Sequence, residues 1–426
     1  MGAHRPLPGI HVMLPGALYQ LDFVLSNGVR GGIRHYRKGS RIGDVIMTAV
    51  EDAHLDPERQ ERAKEYARLG RRLILADLVL TAVYTLAWLL CGWSGSLKQA
   101  LLAVSANPWF LVAGYGVVFG AAYYVISLPL SFCEGFVLPH RFQLSTQSLP
   151  AWILDQVKVL GVGGILGGVM LEVIYAVLRA APGWWWLWAG GILLFFNVLL
   201  ANLAPILLFP LFYKFERLDD EHAVLAERLL VLARKADTRV RGVFKFDMSR
   251  RTRAANAALV GLGNTRRIIL GDTLVDQFTA DEIETVLAHE LGHHVHKDIP
   301  LGIAFGSVLT LGGMYLASLG LRWGVAVFRF EGPADIAALP LFMLAIGIYG
   351  IVTLPLGNAF SRWRERLADA YALQSTNKGA AYASALARLA NQNLAEADPE
   401  PWVEWLLYSH PALSRRIAMA KEYYLR

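Results

Sequence analysis

His289, Glu290 and His293 stand in the order His-Glu-Leu-Gly-His over 289–293. On a helix, two imidazoles four residues apart project from one face, one turn above the other. Rings so placed suit one Zn²⁺ at about 2.0–2.1 Å, and a carboxylate beside them suits removal of a proton from water. The chemistry this set offers is metal-assisted hydrolysis, with Glu290 as general base. The spacing fixes few positions, so the neighbourhood must supply a third ligand and leave a fourth position open.

That third ligand follows by elimination. The longer zinc-binding pattern with a further histidine is excluded, because positions 296 and 299 hold His296 and Ile299. The downstream acids ahead of the tail are Asp298, Glu331, Asp335, Glu365 and Asp369. Asp298 is expected to lie too close along the same helix to bend back onto a metal. Glu331 and Asp335 fall in a turn expected across the membrane from the histidines. Glu365 and Asp369 remain, about two helical turns beyond one apolar span, much as His293 precedes another. Four residues apart, they share a helical face. The spacing assigns Glu365 to the metal and Asp369 to the free ring N–H of His289. Without the histidines, Arg364, Glu365, Arg366 and Asp369 would read as a solvated charged face.

The elements that must position these groups are membrane helices. The chain has 426 residues, 55% hydrophobic and 18% charged, with mean hydropathy +0.38. Those proportions describe an integral membrane protein, not a soluble globule. Six stretches are long and apolar enough to span a bilayer, near 73–93, 108–130, 159–180, 184–209, 300–322 and 336–358. The region 8–28 carries Asp22 and is not counted, and no cleavable signal peptide is expected before the first span. The fold expected is mainly α, a polytopic helical membrane protein with a gluzincin-like cytoplasmic zinc-protease domain containing a small β-sheet.

Five segments follow: a cytoplasmic lead over 1–72, a four-span region over 73–209, and a soluble insert with the zinc helix over 210–299. A two-span hairpin over 300–358 and a helical C-terminal region over 359–426, completing the site, come after. Within the insert a helix is expected over 219–236 and strands near 241–247 and 265–270. Thr279 and Glu282 form a capping box that starts the histidine helix.

Basic residues gather before the first span, in 210–299 and after Arg362, which places the termini and insert in the cytoplasm. The net charge of +6 is accounted for by this bias and by anionic lipid. No basic stripe interleaved with aromatics points to nucleic acid. Cys91 and Cys133 are expected about one bilayer apart, roughly 30 Å, too far for a disulfide.

At this point the sequence resembles the CAAX prenyl protease 1 family of integral-membrane zinc metallopeptidases. The stretches that carry the resemblance are 210–215, Asp247 to Ala257, Arg267 to Leu274, the Ser361-Arg362…Glu365…Asp369 box and Ser409-His410-Pro411 with Arg416. The resemblance implies one zinc per chain on His289, His293 and Glu365. It implies that Asn256 and Ala257 hold an extended substrate, that His410 and Arg416 stabilise the oxyanion, and that the spans enclose a chamber. Two departures stand out: six spans where the family usually has seven, and Ala258-Leu259 where an aromatic is common.

The expected partners are a peptide or protein substrate, prenylated or not, and the lipid bilayer. The expected address is a multi-pass membrane with the site on the cytoplasmic face. The excess of arginine over lysine favours a bacterial inner membrane, with the endoplasmic reticulum as the eukaryotic counterpart. The rivals are an HtpX-like quality-control protease, which is shorter, and a membrane scaffold with a structural zinc site. A site-2-type intramembrane protease is excluded, since no Asp-Gly follows the histidines.

Overall fold

The computed structural model describes residues 54–218, 220–261 and 265–425. The expectation about 8–28, and most of the 1–72 lead, lie outside the described residues. The first element, α1 (Pro57–Leu90), starts where the Asp56 side chain accepts from the amides of Glu58 and Arg59 and Pro57 fixes the first turn. The charged stretch and the apolar span are thus one unbroken helix. After it come α2 (Trp93–Leu102), α3 (Pro108–Phe132), α4 (Leu149–Ala180) and α5 (Trp185–Leu203). Among the described residues six helices are long and apolar enough to cross a membrane, these four longer ones, α9 (Asp298–Phe328) and α10 (Leu339–Thr376).

The six spans close a ring. In order around it, α1 packs on α3, α3 on α4, α4 on α5, α5 on α9, α9 on α10, and α10 back on α1. A continuous apolar core joins all six at one end, with Tyr84, Trp88, Tyr115, Ile174, Trp185 and Phe342 among its members. There Lys98 of α2 reaches Glu331 at 2.8 Å and Asp335 at 3.0 Å. That ties the turn after the first span to the turn before the sixth.

The domain at the other end begins as the chain leaves α5. Strands β1 (Phe215–Arg217), β2 (Val243–Phe246), β3 (Ala257–Val260) and β4 (Arg267–Gly271) form one sheet in the order β1-β2-β4-β3. β2 and β4 run parallel, and β1 and β3 flank them antiparallel. β1 and β3 are additional to the two strands read from the sequence. β3 reads Ala-Ala-Leu-Val, poor in the residues that favour strands; its register with β4, Ala257 opposite Leu270 and Leu259 opposite Ile268, holds it extended. It is an edge strand, and α8 (Ala280–Val295), the histidine helix, packs against it.

α6 (Ala223–Lys235), α7 (Asp272–Gln277), α8 and α11 (Gly379–Gln392) bury one core, centred on Leu229, Leu274, Leu287, Leu291 and Leu386. α12 (Pro401–Leu407) and α13 (Leu413–Leu425) close the chain. Both cysteines are free thiols.

Candidate metal centre

The histidine helix starts as its sequence dictates. Thr279 accepts from the Glu282 amide at 3.3 Å, and the Glu282 carboxylate accepts from the Thr279 amide at 2.8 Å. The other oxygen of Glu282 accepts from Ser384 at 2.6 Å, which fixes the helix start to α11. One turn before its end, Gly292 presses on α10. A Cβ there would stand 2.9 Å from the Cα and 3.0 Å from the carbonyl oxygen of Ala368. This contact brings Glu365 and Asp369 within reach of the rings.

Three donor atoms converge as a result. His289 Nε2 and His293 Nε2 are 3.1 Å apart. Glu365 lies 3.3 Å from the first of them and 3.4 Å from the second. The far nitrogen of each ring faces a carboxylate: His289 Nδ1 is 2.8 Å from Asp369, and His293 Nδ1 is 2.7 Å from Asp298. Protons on both Nδ1 atoms leave both Nε2 lone pairs pointing at each other and at a carboxylate. With the protons so placed, the three acceptors would face one another, an arrangement that a bound cation would relieve. Glu365 Oε2 is buried without a hydrogen-bond partner, as a ligand oxygen would be. The spacing also fits, since donors about 2.0–2.1 Å from a tetrahedral ion are roughly 3.3 Å apart. The donor set, two imidazoles and a carboxylate, is one that suits zinc.

Asp369 is the hub behind His289. It accepts from Arg416 Nε at 2.8 Å and Nη2 at 2.6 Å and from the Tyr382 hydroxyl at 2.6 Å, and both Asp369 and Arg416 are buried. Burial and the Asp369 charge push the Tyr382 phenol well above its ordinary range, so it stays a donor. Arg416 therefore points at Asp369, with Nη2 3.8 Å from Glu365. His410 is in front, its Nε2 3.2 Å from Glu365 Oε1. Arg362 sets the segment leading to His410 by donating to the carbonyls of Glu404 at 3.0 Å and Tyr408 at 2.6 Å.

Glu290 shares a small pocket with Ala255, Asn256, Ala257, Leu274, Val286 and Leu389. The pocket joins the proposed base to the start of the edge strand. Asn256, with its Oδ1 accepting from the Ala257 amide at 2.9 Å, turns the chain into β3.

Three residues were not legible as site members. Asp298 is the clearest: α8 ends at Val295 and Lys297 takes a left-handed conformation (φ 57) before α9 begins. The helix is not continuous, so Asp298 does fold back, onto His293 rather than onto the metal position. Arg364, buried and not part of a solvated face, pairs with Asp298 and donates to the His296 carbonyl at 2.7 Å. Tyr382 arrives from a helix that carries no motif.

Fold and site together define a multi-pass membrane metalloendopeptidase of the zinc type. Residues 219–424 match the model of peptidase family M48, and residues 35–214 match that of the CAAX prenyl protease N-terminal region, described as five membrane helices. A CAAX prenyl protease 1 homolog of Arabidopsis thaliana is 30% identical over 308 residues, 69% of each chain. CAAX prenyl protease 1 of Saccharomyces cerevisiae is 27% identical over 90% of each. An uncharacterized metalloprotease of Bacillus subtilis is 28% identical over 89% of this chain and 90% of its own length. The crystal structure of S. mikatae Ste24p shares the fold, with TM-score 0.76 at 23% identity, covering 88% of this chain and 93% of that one. The chain belongs to the CAAX prenyl protease 1 family within the M48 peptidases.

Proposed function

We propose that this peptidase holds its zinc on His289, His293 and Glu365 and cuts peptides that lie along β3 as an added strand. The observation that carries the reading is the three-acceptor convergence, set beside an edge strand that shares a pocket with Glu290. Bound there, Zn²⁺ supplies Lewis acidity, polarising a carbonyl and lowering the pKa of water. Glu290 takes the proton of the attacking water and passes it to the leaving amine. Asn256 and Ala257 align the substrate backbone antiparallel to β3. His410 faces the charge that develops on the carbonyl oxygen, while Arg416 acts through Asp369, locking the tautomer of His289.

The site occupies the cytoplasmic face, where the basic loops lie. The substrates are membrane-associated peptides, with prenylated C-terminal segments first in line because relatives are named for that motif. The match over 35–214 supports this over the shorter quality-control type, and a set of three protein donors among the described residues argues against a purely structural zinc, which four protein ligands usually close.

The test uses purified chain and an internally quenched peptide, farnesylated and unmodified. Glu290→Gln should lower turnover by about 10²–10⁴-fold with one zinc still bound by elemental analysis. Turnover retained by a zinc-loaded Glu290→Gln chain would remove the proposed base.

A further inference from the structure

Residues 253–256 feed the edge strand but belong to no helix or strand themselves, so what holds them sets where β3 begins. Their backbone groups are satisfied from outside. Gln392 Nε2 donates to the Arg253 carbonyl at 2.9 Å, and Thr273 donates its hydroxyl to the Ala254 carbonyl. The Gly271 amide donates to the Asn256 carbonyl at 2.8 Å. The Ala255 amide, buried with its residue, donates to Asn393 Oδ1 at 3.3 Å. Ala255 and Asn256 both line the pocket of Glu290. Two of these contacts therefore come from the last turn and cap of α11, well outside the zinc motif.

The cap is itself held. Leu394, next in the chain, has φ 44, a left-handed conformation costly for a large side chain. It persists because the side chain is buried with Ala63 and Tyr66 of α1 and with Phe142 and Leu144. Around it, Asn391 accepts from the Asp56 amide at 3.0 Å and donates to the His54 carbonyl at 3.0 Å. Gln60 accepts from the Ala397 amide at 3.0 Å, and Arg71 pairs with Glu396 at 2.7 Å. The segment of α1 that precedes its apolar span thus clasps the 391–397 loop.

We propose that Asn393 is a positioning residue for the substrate: its carboxamide oxygen fixes the Ala255–Asn256 backbone, and the clasp of α1 on the 391–397 loop fixes Asn393. The inference rests on β3 as the strand that receives substrate. Metal binding does not pass through this chain of contacts, because His289, His293 and Glu365 are held by Asp369, Asp298 and the Gly292 contact. Loss of the Asn393 oxygen leaves a buried amide unpaired and lets the receiving edge drift relative to Glu290, while the metal stays in place.

The test compares Asn393→Ala with Asn393→Asp, which keeps an acceptor oxygen, in the full-length zinc-loaded chain. The probes are internally quenched peptides, farnesylated and unmodified, a chelator competition for zinc affinity, and amide exchange over 253–260. Asn393→Ala should raise KM roughly tenfold with kcat changed less than about threefold, leave zinc affinity unaltered and speed exchange over 253–260. Asn393→Asp should restore KM and exchange. Unchanged exchange in Asn393→Ala, zinc affinity that falls in step with KM, or an Asp variant as impaired as Ala would each overturn the proposal. A native chain that cuts neither peptide would count against the substrate reading alone, since exchange still reports on Asn393.

Discussion

Asp298 does for His293 what Asp369 does for His289, and the two carboxylates are anchored by different arginines. Arg416 and Tyr382 hold Asp369 in a dry setting; Arg364 holds Asp298 where His293 is still partly exposed. Without its carboxylate, the His293 ring is free to rotate or to carry its proton on Nε2, facing the metal. Asp298→Ala should therefore weaken zinc binding by about 10–100-fold, read by competition with a chromophoric chelator. Asp298→Asn, which still offers an oxygen to Nδ1–H, should weaken it less. Equal affinity in Asp298→Ala and the native chain would show that His293 needs no partner. The two rings, and Glu365 with Asp369, were legible because spacings of four put each pair on one helical face. Asp298 was not, because a single left-handed residue, Lys297, undoes that spacing and nothing in its side chain announces it.

Between elements, the decisive contact is the one α8 makes with α10 at Gly292. A capping box starts α8, a signal that reads directly from Thr279 and Glu282. Its distance from α10, in contrast, depends on a hydrogen atom in place of a methyl group. In Gly292→Ala the new Cβ meets backbone of Ala368 at 2.9–3.0 Å, which no side-chain rotation relieves. The helices must part, and Glu365 with Asp369 would recede from the rings. Overpacking of this kind costs about 1–3 kcal/mol. Thermal unfolding should shift down, and zinc affinity should fall with it. Gly191→Ala, on a span and with nothing within 4 Å of the added atom, serves as the control and should alter neither. A Gly292→Ala chain with native zinc affinity would mean that the interhelical gap does not set the metal site. The strands divide the same way. β4 is apolar and β-branched and was read from sequence, whereas alanine-rich β3 is a strand only because β4 and α8 border it.

At the scale of the molecule, six spans and a catalytic domain are joined at two ends by different means. Hydropathy gave the number and approximate limits of the described spans, because length and apolar content are what a bilayer selects. Their circular order was not legible, since it rests on which small and aromatic surfaces meet across helices. The end remote from the site is fastened by Lys98, whose buried ammonium bridges Glu331 and Asp335. Asp335 also accepts from the Glu331 amide at 3.1 Å and the Ala337 amide at 3.0 Å, so it organises the turn into α10. In Lys98→Met its buried charge loses the cation, and breaking such a pair from one side costs about 3–5 kcal/mol. Unfolding in detergent should move to lower temperature. Adding Asp335→Asn, which removes the stranded charge and leaves an acceptor oxygen for one of those two amides, should recover part of the loss. Zinc affinity should match the native chain in both variants, because the site lies at the opposite end of the ring and is set by Asp298, Asp369 and Gly292. Were Lys98→Met as stable as the native chain, the polar bridge would not be what closes the remote end; were zinc affinity to drop alongside stability, the two ends would be one cooperative unit.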